Sequence, residues 1–188
     1  EQGLMGSKNL DTDKLNARIG FILDGGGPVG KIITRAPAKN KLHLKVMGKP
    51  VHAGIEPEKG ISAIKVAGDA IACMQHGRID FETTANIGKI RGGHSTNIVA
   101  ELVEMEAEVR SLNKTKLFDQ TEHMVDTVKQ AAKRYGAQTE CEVIGMYPYY
   151  NLKEDSYAVR YAIEAIKRLG INPELISSGG GSDGNILN

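Results

Sequence analysis

The sequence lacks tryptophan and has only two cysteines, and aromatic residues make up 5% of its 188 positions. Cys73 and Cys141 are far apart and have no CxxC spacing, which excludes a disulfide framework and predicts reduced core residues of a cytoplasmic protein. The sequence also lacks an excess of one charge, because it contains 24 Lys and Arg and 23 Asp and Glu. With so few aromatic residues and no net field, binding to nucleic acid is not expected.

Long hydrophobic runs are absent as well. Runs such as Phe21 to Leu23 are far shorter than the roughly 20 residues of a bilayer span, so we expect no membrane association. No charged and apolar leader follows Glu1, and we therefore expect no secretion signal and a chain that begins within a domain. The composition, with 40% hydrophobic and 25% charged residues, is that of a globular protein.

Two segments have the composition of strands buried on both faces. Ile19 to Leu23 is followed by Asp24 and three glycines, and Leu175 to Ile176 is followed by the glycine-rich stretch 179–185. Successive apolar residues that lead into glycine are typical of parallel strands in α/β domains. Asp24 is therefore predicted at the carboxyl end of a buried strand.

The middle of the chain has a different pattern. Residues 41–46 and 103–110 alternate apolar with charged side chains, as in sheets buried on one face. Helical spacing over 61–75 and 117–135 adds two helices. The order is β-α-β-β-α-β, which predicts a ferredoxin-like domain with a four-stranded antiparallel sheet and two helices, preceded by a hairpin arm at 31–35.

This organisation predicts an α/β (α+β) chain in three parts. Residues 1–27 and 150–188 are expected to belong to one α/β domain, and residues 28–149 to a second domain inserted between them.

Two carboxylates are candidate metal ligands. Asp24 lies where ligands of open α/β sheets gather, and its alternative interpretation is an ordinary Asp-Gly turn. Glu1 precedes a helix start, and its alternative is a solvated terminal residue. Neither signal is specific when taken alone.

Candidate substrate contacts follow the predicted strands. His52 is presented from a loop and suits either an oxyanion donor or a surface group. Asn97 follows the Gly92-Gly93 turn, and Arg110 suits either a substrate carboxylate or an ion pair with a neighbouring glutamate. The loop with Gly180, Gly181 and Ser182 has no P-loop lysine, and its backbone N–H groups suggest an anion site.

Taken in order, these segments resemble the dinuclear zinc peptidase family that includes peptidase T, glutamate carboxypeptidase and aminoacylase, and they are most similar to its peptidase T-like branch. The resemblance extends over essentially the whole chain. It implies a catalytic α/β domain interrupted by a lid and dimerisation domain. It also implies a homodimer, two zinc ions per subunit and hydrolysis of small peptides.

The resemblance assigns a role to each candidate residue. Glu1 and Asp24 match zinc ligands, and His52 matches the lid histidine that reaches the neighbouring subunit's active site. The matching substrate contacts are Asn97, Arg110, which would hold the terminal carboxylate, and the loop residues Gly180, Gly181 and Ser182.

The sequence departs from the family pattern in three places. The His-x-Asp motif and the general-base glutamate that should precede Glu1 are missing, and so is a histidine after the glycine-rich loop. We therefore expect a fragment of a metallo-exopeptidase, of the tripeptide aminopeptidase kind, that is inactive by itself. The alternative is a non-catalytic ferredoxin-like domain for dimerisation or small-ligand regulation.

Overall fold

A computed structural model describes residues 3–188, and these fold as two compact units. The central unit consists of Asn40–Arg110 and Thr115–Gly145. The flanking unit consists of Ser111–Lys114, Met146–Asn188 and the described residues up to Lys39. The predicted insertion, residues 28–149, extends beyond the central unit at both ends, so the strand at 31–36 falls in the flanking unit.

Both units contain strands and helices. In chain order they are α1 (Met5–Lys8), β1 (Lys31–Ala36), β2 (Ala38–Met47), α2 (Ala63–Cys73), β3 (Gly77–Arg78), β4 (Thr83–Gly92), β5 (Leu102–Ser111), α3 (Lys114–Tyr135), β6 (Gln138–Tyr147), β7 (Tyr150–Asn151), α4 (Tyr157–Arg168), β8 (Glu174–Ser177) and α5 (Gly184–Leu187).

The central sheet has the strand order β3-β4-β5-β2-β6. Without the two-residue strand β3, this is the order of a ferredoxin-like sheet, with α2 and α3 as the two connecting helices. The predicted fold class is therefore confirmed. The fifth strand, β3, pairs antiparallel with only the first part of β4, at Thr84 and Ala85.

Alternation of apolar and charged residues places the core on one face of this sheet. Leu42, Leu44 and Val46 of β2 are fully buried, while the charged residues between them remain partly exposed. The helices cover the apolar face. α2 begins after Ser62, whose side chain accepts a hydrogen bond from the Lys65 N–H at 3.2 Å.

The flanking unit contains a second sheet, with strand order β7-β1-β8. β1 pairs in parallel with β8 and antiparallel with β7, and α4 packs on β1. The interpretation of residues 31–35 as a hairpin arm is therefore wrong. The apolar residues Ile32 and Ile33 instead form the middle of a sheet, where β8 supplies their pairing partners.

The predicted buried strand at Ile19 to Leu23 is also wrong for the described residues. This segment has no regular secondary structure, and Leu23 is 97% exposed. A strand that is apolar at successive positions needs pairing and covering layers on both faces, and residues 3–188 supply neither here. Asp24 therefore follows an extended, exposed segment.

Both cysteines are free, as predicted, but Cys73 is exposed at the end of α2 and is not a core residue. Burial raises the pKa of the Cys141 thiol, which keeps that group protonated. Among the described helices, none combines the length and apolar character that crossing a bilayer requires.

Candidate active site

His52 and Asn97 lie side by side in the central unit. His52 forms an isolated antiparallel bridge with Ile98, and the Ala53 N–H donates to the Asn97 carbonyl oxygen at 2.8 Å. The two loops that carry these residues are therefore joined by backbone pairing. The structure brings together two residues that are 45 positions apart in the sequence.

The hydrogen bonding of His52 defines which ring nitrogen donates. The Gly54 N–H donates to His52 Nδ1 at 3.1 Å, so Nδ1 must carry a lone pair. In the neutral imidazole the proton then resides on Nε2. The side chain is exposed, so this Nε2–H is available to an oxygen atom of a ligand.

The Asn97 side chain is oriented by its own turn. Ser95 Oγ donates to Asn97 Oδ1. The amide oxygen is thus engaged, and the NH₂ group is the part of this side chain that offers donors. His52 and Asn97 together present donors, which suits an oxyanion or a carboxylate.

Arg110 lies near the end of β5 and is only partly exposed. Its Nε donates to Glu108 Oε1 at 2.8 Å, so the structure shows the ion pair that the sequence left as one of two interpretations. A substrate carboxylate would have to share this guanidinium with Glu108. The substrate role of Arg110 stays a prediction.

Neighbouring carboxylates on β5 are also paired with cations. Glu106 accepts from Lys41 at 3.0 Å and from Lys89 at 3.1 Å, and these hydrogen bonds lower the pKa of Glu106 to about 2. Glu104 pairs with Lys45 at 3.3 Å. The open face of the sheet is therefore a set of ion pairs across strands rather than a field of one sign.

The glycine-rich loop is closed by its own hydrogen bonds. The Gly180 N–H donates to Ser178 Oγ at 3.0 Å, the Ser182 N–H to Asn185 Oδ1 at 2.9 Å and the Gly184 N–H to Ser182 Oγ at 3.3 Å. Three N–H groups of the suggested anion site are therefore already used within the loop.

Asp24 and the glycine-rich loop both interact with Tyr150. The Tyr150 hydroxyl is hydrogen-bonded to the Ser182 side chain, and the Asp24 carboxylate is close enough to act on its charge. Burial raises the pKa of Tyr150, and Asp24 adds to that rise. Asp24 and Ser182, which the sequence predicted separately, therefore both act on the pKa of Tyr150.

The described residues do not form a metal site by themselves. A zinc ion takes at least three protein ligands, and residues 3–188 contain no group of three or more His, Cys, Asp or Glu side chains arranged to hold a metal. Asp24 offers one exposed carboxylate. The second predicted ligand, Glu1, lies outside the described residues.

Comparison with known proteins identifies the family. A family model described as a peptidase dimerisation domain matches residues 39–136, which is more than half of the chain. The chain belongs to the peptidase dimerisation domain family. The matched range covers most of the central unit, where the sequence predicted the lid.

Relatives of this peptidase family match the chain over nearly its whole length. The crystal structure of aminopeptidase PepT from Bacillus cereus is 44% identical with a TM-score of 0.91, covering 98% of this chain and 50% of that chain. A tripeptidase from Staphylococcus aureus is 39% identical with a TM-score of 0.94, covering 98% and 49%. The uncharacterised protein YqjE of Bacillus subtilis is 45% identical, covering 100% and 50%. The predicted peptidase T-like branch is confirmed, and the chain spans about half the length of these relatives.

Sequence reasoning missed three residues that shape the site of this peptidase-family chain. Tyr150 contacts Ser182, Tyr147 lies against Gly181 so closely that a Cβ there would come within 2.5 Å of its ring, and Asn185 is 2% exposed. The tyrosines at positions 147, 149 and 150 could have identified this segment in the sequence, because aromatic residues are otherwise scarce. Asn185 gave no signal beyond being a polar residue in the predicted loop.

We predict that replacing Lys41 by Met raises the pKa of Glu106 from about 2 towards its ordinary value of 4.5, because the hydrogen bond from Lys41 is the largest cause of the lowering. Since the pKa is lowered in the folded state, ionised Glu106 stabilises the fold above about pH 4.5 and loses this effect as the pH falls towards 2. The folding stability of the Lys41→Met variant should therefore depend less on pH between about 4.5 and 2. NMR titration of the carboxyl carbon measures the pKa directly.

Lys45→Met is the matched control for this titration. It removes the same charge from the same strand, but Lys45 pairs with Glu104 instead of Glu106. An unchanged Glu106 titration in Lys41→Met, or an equal shift in Lys45→Met, would show that the ion pair does not set this pKa.

Proposed function

We propose that this chain is part of a zinc-dependent tripeptide aminopeptidase that hydrolyses small peptides. The observation that carries the proposal is the match over 98% of the chain to an aminopeptidase at 44% identity and to a tripeptidase at 39%. The donor pair of His52 and Asn97 supports it, because peptide hydrolysis develops negative charge on the scissile oxygen. Location in the cytoplasm stays a prediction.

In this proposal each group of residues has a separate task. The Nε2–H of His52 donates to the developing oxyanion, while Asn97 and Arg110 hold the substrate, Arg110 through its terminal carboxylate. Gly180, Gly181 and Ser182 are further substrate contacts in this proposal. Asp24 and Glu1 would be two ligands of a pair of zinc ions, and residues 3–188 contain no group of three or more His, Cys, Asp or Glu side chains that could complete the site.

We expect the isolated 188-residue chain to show no turnover of tripeptides, even with added zinc. The physical reason is that one exposed carboxylate among the described residues cannot hold a metal ion by itself. The measurement is release of the first amino acid from a tripeptide, with the full-length protein as the positive control. Full-length activity should disappear with a chelator and return with zinc. Robust turnover by the isolated chain would contradict this prediction.

His52 is tested in the full-length protein by replacement with Ala, which has no side-chain donor. Removing one donor to an oxyanion lowers kcat by about 10²–10³-fold, and the zinc content should not change. His76→Ala is the matched control, since His76 is an exposed histidine of the same unit. A kcat that is unchanged in His52→Ala would remove this residue from the mechanism.

A second candidate function is dimerisation, which the family match favours. β3 pairs with β4 only at Thr84 and Ala85, so within the described chain the outer edge of residues 86–92 has no strand beside it. α2 lies next to this edge, and its exposed side carries Ile64, Gly68 and Ala72. The exposed side of α3 instead carries charged residues such as Glu122 and Asp126. We therefore propose a homodimer that pairs two β4 edges around a twofold axis.

The dimer is tested with the isolated chain by sedimentation at micromolar concentration. Ile90 is 54% exposed on β4, and Ile90→Lys should convert the dimer to monomer because it places like charges across the twofold axis. Ile144→Lys, on β6 at the opposite edge of the sheet, is the matched control and should leave the dimer intact. A wild-type chain that sediments only as a monomer would contradict the proposal.

A further inference from the structure

One side chain connects the glycine-rich loop to two distant points of the chain. Asn185 lies in α5 and is 2% exposed. Its Nδ2 group donates to the Pro37 carbonyl oxygen at 3.1 Å and to the Pro148 carbonyl oxygen at 2.8 Å. Its Oδ1 accepts the Ser182 N–H at 2.9 Å.

The two proline carbonyls occupy equivalent places in the fold. Pro37 separates β1 from β2, where the chain leaves the flanking unit, and Pro148 lies between β6 and β7, where the chain has returned to it. Proline interrupts strand pairing because it has no N–H. The carbonyl of the buried Pro37 then needs a donor from elsewhere, and Asn185 supplies one to both junctions.

Only an amide satisfies this arrangement. The NH₂ group has two hydrogens for two carbonyls, and the amide oxygen remains free to accept from the loop. An aspartate has the same shape but no hydrogen to donate, and it would place a negative charge against two carbonyl oxygens. The geometry therefore requires the amide chemistry of Asn185 as well as its size.

We propose that Asn185 is a positioning residue for the substrate loop: it holds Ser182 and residues 179–184 in one shape by fixing the loop to both chain junctions. The proposal rests on the proposed function in so far as this loop lines the substrate. Asn185 itself is 2% exposed and acts through Ser182. The Ser182 hydroxyl group is hydrogen-bonded to Tyr150 and accepts a hydrogen bond from the Gly184 N–H.

The test is amide hydrogen exchange followed by NMR on the 188-residue chain. In Asn185→Ala, exchange of the Ser182 amide, corrected for its intrinsic rate, should be faster by about tenfold or more, because its partly buried hydrogen bond to Asn185 is lost. Amides of Ile32 in β1 and Ile176 in β8 should stay within about twofold, because local openings do not require the sheet to open. Asn172→Ala, at an exposed asparagine of the same unit, should change neither.

The conservative variant Asn185→Asp gives a signature that a general packing role does not. At neutral pH the Ser182 amide should exchange as fast as in Asn185→Ala, because the ionised carboxylate is repelled by both proline carbonyls. On acidification the protonated carboxyl group donates its single hydrogen to one of the two carbonyls, and part of the protection of Ser182 should return. Asn172→Asp should show no such dependence on pH.

Several results would overturn the proposal. Unchanged protection of Ser182 in both Asn185 variants would show that the amide does not hold the loop. Equal acceleration of Ser182 and the sheet amides, or failure of both variants to fold, would make Asn185 a structural residue of the whole unit. A full-length protein without tripeptidase activity would refute the proposed function and leave the exchange result standing, so the two failures are distinguishable.

Discussion

Burial of the central sheet on one face only is the constraint from which the rest of the unit follows. Apolar side chains such as Leu44 and Val109 are fully buried, and the charged side chains that alternate with them must stay in solvent. Ion pairs such as Lys41 with Glu106 occupy that open face. The donors of His52 and Asn97 lie instead in loops, away from these ion pairs.

The alternating strands and the two long helices of the central unit were predictable because their signals are local. Periodicity over ten or more residues is set by burial of one face, and α3 follows this pattern from Lys114 to Tyr135. Which strands pair with one another depends on segments that are distant in the sequence. Lys31–Ala36 has the composition of a strand, but its partner β8 lies far along the chain, and no pattern within the segment identifies that partner.

The sequence suggests candidate site residues, whose roles stay predictions, but it does not show how these residues are connected. His52, Asn97, Asp24 and the glycine-rich loop all carry types of residue that suggest chemistry. The contact of Tyr150 with Ser182, and the three hydrogen bonds of Asn185, depend on segments distant in sequence. A buried asparagine is specified by the carbonyl groups around it, and these become visible only when the fold is known.

The exposed segment before Asp24 lacks the burial that its apolar sequence predicts. Burying a leucine side chain contributes about 1.5–3 kcal/mol, and Leu23 gains almost none of this at 97% exposure. Likewise, Asp24 has no group of ligands beside it among residues 3–188. Within residues 3–188, the apolar pattern of Ile19 to Leu23 therefore has no pairing strand, and pairing with a distant strand is what a local pattern cannot specify.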